Sequence, residues 1–260
     1  MSNFEREDNI VARPSLFWLL TEGGRAITEL GLSIPYRKFF ASKSQGDGHP
    51  VLALPGFMAT DSSTAPLRKY LENLGYPAYS WDLGRNTAKV EFLEILLAKI
   101  EEIYKEHGEQ VSLIGWSLGG VFARQLAKAK PEMIRQVITL GSPFQGVHQP
   151  NNVAWVYNLV SGGKRIKDMD PVLFQNIPLP APVPTTAIYT KEDGIVPWEL
   201  CIEIEDEIHQ NIQVRGSHLG LGVNHSVLDI IADRLLYSRE DWAHFRPGHF
   251  VKDILFYPSL

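Results

Sequence analysis

With a single cysteine, Cys201, among 260 residues, the chain has no intramolecular disulfide and no material for a thiolate metal cluster. Basic residues are not in excess either. The 25 Lys and Arg stand against 30 Asp and Glu, a net charge of −5, which leaves no electrostatic footprint for nucleic acid. No apolar run approaches the ~20 residues that span a bilayer. Internal repeats and charge blocks are lacking, and low complexity is confined to the proline-punctuated stretch Ile177 to Pro184. The first residues, Met1-Ser2-Asn3-Phe4-Glu5-Arg6-Glu7-Asp8, are acidic and lack the basic-then-apolar order of a secretory signal. These absences lead to the expectation of a cytoplasmic protein that acts on a small molecule, without nucleic acid and with at most peripheral membrane contact.

A hydrophobic share of 44% suits one large α/β domain with a sizeable core. Strand and helix signals alternate from about residue 50. Val51-Leu52-Ala53-Leu54, closed by Pro55-Gly56, reads as a buried strand. A helix-like stretch follows from Ala65 to Leu74, then the short strand candidate Ala78 to Trp81 and an amphipathic run from Val90 to Tyr104. Val111 to Ile114, Gln136 to Leu140, Thr186 to Tyr189 and Ile212 to Val214 supply further strands, with helical segments at Val121 to Ala129 and Val227 to Leu236. This order predicts a mostly parallel sheet with helices on both faces. Leu16, Leu19, Leu20, Ile27 and Leu30 fall near helical spacing, so an N-terminal helical segment over residues 14–32 is expected to pack on the domain. Residues 145–185, dense in Asn, Gly and Pro, read as a small cap insertion within the single domain 1–260.

The chemistry concentrates in Gly115-Trp116-Ser117-Leu118-Gly119-Gly120. A G-x-S-x-G sequence between a strand and a helix lifts its serine onto a strained turn, and a Cβ at either flanking glycine would collide with its surroundings. Ser117 is thus the expected nucleophile. A serine hydroxyl needs a histidine to take its proton and an acid to orient that histidine. His218, in a glycine-flanked loop after the last strand, is the expected base, with His225 second. Asp193, just past the strand ending at Tyr189, is the expected acid, with Glu192 second and an Asx turn before Gly194 as its bland alternative. His49 could bond a loop near the site. The oxyanion needs two N–H donors. Leu118, following the nucleophile, offers one, and Phe57, in the loop after the first strand, offers the other. Met58, Trp116, Trp155 and Tyr157 are candidate pocket residues. No His or Cys spacing suits a metal.

These motifs resemble the α/β-hydrolase superfamily, in its bacterial lipase and esterase branch. Pro55-Gly56-Phe57, the serine elbow, Ser217-His218-Leu219-Gly220-Leu221 and Gly141-Ser142-Pro143-Phe144-Gln145-Gly146 carry the likeness, which spans about residues 50 to 237. The last segment is similar to one in triacylglycerol lipases and inositol-deacylase-like proteins. The resemblance implies an eight-stranded type of core, a serine triad, no cofactor and a carboxylic ester substrate cleaved through an acyl-enzyme. The chain departs from it where Pro55-Gly56 replaces the usual His-Gly, and in showing no early strands before residue 45, which points to a trimmed sheet. An acyltransferase or thioesterase on the same scaffold stays open, as does a non-catalytic binding protein that kept the fold.

Overall fold

The structure, a computed structural model, describes residues 11–40, 46–145, 176–246 and 257–258. A long helix, α1 (Leu16–Phe40), precedes the sheet. The strands are β1 (Val51–Leu54), β2 (Ala78–Tyr79), β3 (Val111–Trp116), β4 (Ile134–Leu140), β5 (Thr185–Tyr189) and β6 (His209–Gln213). Between and after them run α2 (Asp61–Asn73), α3 (Glu91–His107), α4 (Leu118–Ala129) and α5 (His225–Arg234). All strand pairs are parallel, in the order β2-β1-β3-β4-β5-β6. The described residues thus give six strands where the resemblance implies eight, with α1 standing ahead of β1.

Each strand shares its apolar side chains between two cores, because successive residues point to opposite faces. Val51, Ile114, Ile138 and Ile188 join Leu67, Leu71, Val227 and Ile231 of α2 and α5 on one face. Leu52, Leu113, Val137 and Ala187 join Leu96, Ile100, Phe122 and Leu126 of α3 and α4 on the other. Burial on both faces is why these strands read as continuous apolar runs rather than alternating ones.

The chain reverses its direction of progress across the sheet between β1 and β3. Register aligns Leu54 with Gly115, Trp116 with Leu140, and Leu140 with Ile188. The loops after β1, β3, β4 and β5 therefore leave along one carboxyl edge, beside the switch point where doubly wound sheets place their ligands.

Helix α1 packs on the domain through its charged face, not its apolar one. Leu16 and Ile27 are each 73% exposed and Leu20 84%, whereas Glu22 is only 3% exposed. Leu19 and Leu30 are also exposed. The charged residues Glu22, Arg25 and Glu29 form the inward stripe because the loops beneath offer hydrogen-bonding groups rather than apolar surface. No helix among the described residues is long and apolar enough to cross a membrane.

Candidate active site

Ser117 sits between β3 and α4 with φ +52° and ψ −120°, a conformation that costs a non-glycine residue about 1–3 kcal/mol. Its N–H donates to the Leu140 carbonyl at 2.8 Å, so the neighbouring strand helps hold the turn. The two glycines are fixed by space. A Cβ on Gly115 would lie 2.3 Å from the Cα of Gly120, and one on Gly119 would lie 2.2 Å from the Leu54 carbonyl oxygen. Helix α4 can begin at Leu118, directly against the end of β1, only with those positions bare. As the first residue of that helix, Leu118 has an N–H without a partner inside it.

The loop after β1 faces the elbow. A Cβ on Gly56 would come within 3.3 Å of the Ser117 Cβ, so glycine lets the backbone leading into Phe57 approach the serine. This loop is pinned by Asn86, a fully buried residue whose side-chain amide donates to the Pro55 carbonyl at 2.8 Å and whose own carbonyl accepts from the Met58 N–H at 2.8 Å. No acceptor for the Phe57 N–H is found among the described residues. Phe57 packs against the core containing α4. Met58 is half exposed and has φ +59°.

Asp193 and His218 meet across the carboxyl edge. One oxygen of Asp193, Oδ2, lies 2.6 Å from Nδ1 of His218, with both side chains buried. The other, Oδ1, accepts the N–H groups of Ile195 at 2.8 Å and Val196 at 2.6 Å. The Asx turn and the bond to the histidine therefore coexist, one on each oxygen. The His218 ring packs beside Gly141, where a Cβ would stand 3.0 Å from Nδ1. Gly141 follows Leu140, the residue whose carbonyl holds Ser117. Trp116, expected in the pocket, donates its indole N–H to the His218 carbonyl at 3.0 Å and abuts Gly222. It links the elbow to the histidine loop.

Sequence reasoning missed the residues that hold the two loops from α1. Oε1 of Glu22 accepts the N–H of Gly194 at 2.9 Å and of His218 at 3.1 Å, and Oε2 accepts that of Leu219 at 3.0 Å. Glu29 accepts both the N–H and the hydroxyl of Ser217, at 2.8 and 2.7 Å, and the side-chain amide of Asn224 at 2.9 Å. Arg25 donates to Glu22 at 3.0 Å and to the Gly216 carbonyl at 3.1 Å. Gly194 admits the helix: a Cβ there would meet the backbone of Trp18 and Leu19 at 2.4 Å. The signal was legible as charges at positions 22, 25 and 29, one helical stripe. Such a stripe ordinarily faces water.

The runner-up residues are placed elsewhere. Glu192 accepts the Gly216 N–H at 3.1 Å and pairs with Arg215 at 3.5 Å. His225 opens α5, and burial lowers its pKa. His49 lies at the amino edge of the sheet, 2.8 Å from the Ser112 hydroxyl and away from the elbow. Its neighbours start β1 and β3, whereas the elbow follows the end of β3. Cys201 is buried and its thiol is pushed up by that burial and by Asp193 and Glu199, which keeps it neutral. Trp155, Tyr157 and most of the 145–185 insertion lie outside the described residues. The described return of that segment is anchored by Arg124 of α4, which donates to the Leu179 carbonyl at 2.8 Å.

A six-stranded parallel sheet, with a strained serine elbow at its switch point and a bonded Asp–His pair on the same edge, defines the chain as an α/β-hydrolase. It belongs, more narrowly, to the palmitoyl protein thioesterase family, whose model matches residues 50–181. A pimeloyl-[acyl-carrier protein] methyl ester esterase of Yersinia enterocolitica is 36% identical over 83 residues, covering 32% of this chain. The match spans 29% of that relative's length. Among solved structures, the monoacylglycerol lipase of Paleococcus ferrophilus superposes with a TM-score of 0.51 at 17% identity, over 74% of this chain and 96% of the lipase. Aspergillus fumigatus lipase B gives 0.55 at 15% identity, over 74% and 53%, and TT1662 of Thermus thermophilus gives 0.54 at 16%, over 75% and 92%. At such identities the likeness is one of fold.

Proposed function

We propose that the protein hydrolyses carboxylic esters through an acyl-enzyme on Ser117. The observation that carries this reading is the pairing of a serine held at φ +52° with a buried Asp193–His218 bond of 2.6 Å on the same sheet edge. His218 takes the serine proton as the hydroxyl attacks the carbonyl carbon, and Asp193 holds the proton on Nδ1 so that Nε2 is free to accept. The N–H groups of Phe57 and Leu118 receive the charge that develops on the carbonyl oxygen, a contribution on the order of 3 kcal/mol per donor. His218 then returns its proton to the leaving group, and water repeats the sequence to release the acid. No cofactor is needed for these steps. A cytoplasmic location belongs to the same reading, supported by the one, buried, cysteine.

Hydrolysis of a thioester is a second reading, favoured by the family to which residues 50–181 match. A thiolate leaves without protonation more readily than an alkoxide, so the same groups suffice. The test is a series of p-nitrophenyl esters from acetate to palmitate beside the matching acyl-coenzyme A thioesters, with Ser117→Ala as blank. Ser117-dependent turnover of the oxygen esters is expected, and its chain-length optimum measures the acyl site. Turnover confined to thioesters would establish the second reading; turnover equal in Ser117→Ala would contradict both.

A further inference from the structure

The α1 helix turns its charged stripe inward onto the two loops that carry the proposed acid and base. Glu22 is the centre of that contact. Its carboxylate is buried, and its loop partners are the N–H groups of Gly194, next to Asp193, of His218 itself, and of Leu219. Arg25 supplies a fourth donor at 3.0 Å. Every partner is a donor, so both oxygens act as acceptors, which suits the ionised carboxylate. Three N–H groups from two loops thus converge on one anion, beside the direct ties in which Glu192 accepts the Gly216 N–H and the Thr190 hydroxyl donates to the Gly216 carbonyl, each at 3.1 Å.

We infer that Glu22 is a positioning residue for the reaction: it fixes the acid loop to the base loop, and its charge stabilises the imidazolium that forms on His218 during proton transfer. This rests on the reading of Ser117 as nucleophile and His218 as base. The remaining charged and titratable groups around His218 are Asp193 on Nδ1, Arg25 and Glu29 from α1, the Glu192–Arg215 pair beside Gly216, Cys201 near Asp193, and His225 at the start of α5. Of these side chains, Glu22 is the one that accepts a bond from the His218 backbone. Arg25 faces the same carboxylate with the opposite charge.

The two charges give opposite expectations. In Glu22→Gln the shape is kept and the anion is lost, so imidazolium is less favoured and the acid limb of the rate profile moves down by about one pH unit. The limiting rate falls about tenfold for the same reason. In Arg25→Gln the carboxylate loses its counter-charge and the limb moves up. The readout is the rate of fluorophosphonate labelling of Ser117 from pH 5 to 9, which requires no knowledge of the substrate, with the melting temperature of each variant recorded. Limb shifts of opposite sign in the two variants support the assignment. Slower labelling with an unmoved limb in both variants overturns it and leaves α1 a purely structural brace. Should Glu22→Gln fail to fold, the direction of the Arg25→Gln shift decides. Absence of Ser117 labelling in the wild type would instead overturn the reading on which the inference rests.

Discussion

A bonded Ser–His–Asp chain stands at the amino end of β3 and the proposed Ser117–His218–Asp193 triad at its carboxyl end, and they are arranged in reverse. At the amino end, the Ser112 hydroxyl lies 2.8 Å from Nε2 of His49, whose Nδ1 lies 2.5 Å from Asp47. At the carboxyl end, His218 bonds Asp193 at 2.6 Å beside the Ser117 elbow. In the first array the serine is sealed in the core, while the acid is 44% exposed and paired with Arg135 at 2.7 Å. In the second the acid is buried and bonded on both oxygens, and the serine is on the strained turn. Ser112 lies within β3, its N–H bonded to the Pro50 carbonyl at 3.0 Å. Burial lowers His49 to about 4, too weak a base to accept a proton usefully at neutral pH. The order of side chains is therefore not the chemistry. A reacting array needs a serine held on a turn at the carboxyl edge, N–H donors for the oxyanion, and an acid that cannot be drawn off by solvent or a surface cation.

The largest break in the comparison comes from the acids. Asp193→Asn keeps an acceptor for Ile195 and Val196 but turns an amide donor toward His218, forcing the proton to Nε2, where it blocks the serine. A loss of about 10⁴-fold in kcat is expected with p-nitrophenyl butyrate. Asp47→Asn should leave kcat unchanged, and a comparable loss there would erase the distinction between the arrays.

A smaller effect sharpens the contrast from the side of stability. His49 titrates near 4 in the folded chain against an ordinary 6.5, so between those values the unfolded chain holds more protons. Stability is therefore present above pH 6.5 and is lost as the pH falls toward 4, by up to about 3 kcal/mol. Asp47, lowered by its bonds to His49, adds a loss of the same sign below its ordinary 3.8. His49→Gln should flatten this limb in urea melts between pH 7 and 4 without altering the rate profile. An unchanged slope would mean that His49 is not held neutral by the fold.

Much of the architecture was legible because it rests on local rules. Buried strands announce themselves as short apolar runs, and Gly115 and Gly119 mark the elbow because nothing larger fits there. Chain order and loop position pointed to Asp193 and His218, which lie bonded at 2.6 Å. The face of α1 was not legible. Periodicity showed an amphipathic helix, yet which side turns inward depends on N–H groups of Gly194, His218 and Leu219, brought beneath it by strands that lie far along the chain. Asn86 was hidden for the same reason, since its task is to hold Pro55 and Met58 in a loop that sequence placed but could not brace. Nearness to β1 says nothing about which edge of the sheet a residue occupies, so the place of His49 stayed open in the sequence.

Fluorophosphonate labelling of the wild type, Ser117→Ala and Ser112→Ala at neutral pH tells whether the carboxyl-edge residues are the reactive ones. Labelling of the wild type and of Ser112→Ala at similar rates, with the adduct on Ser117, and none in Ser117→Ala, is expected. Labelling that survives in Ser117→Ala, or that disappears in a folded Ser112→Ala, would contradict it.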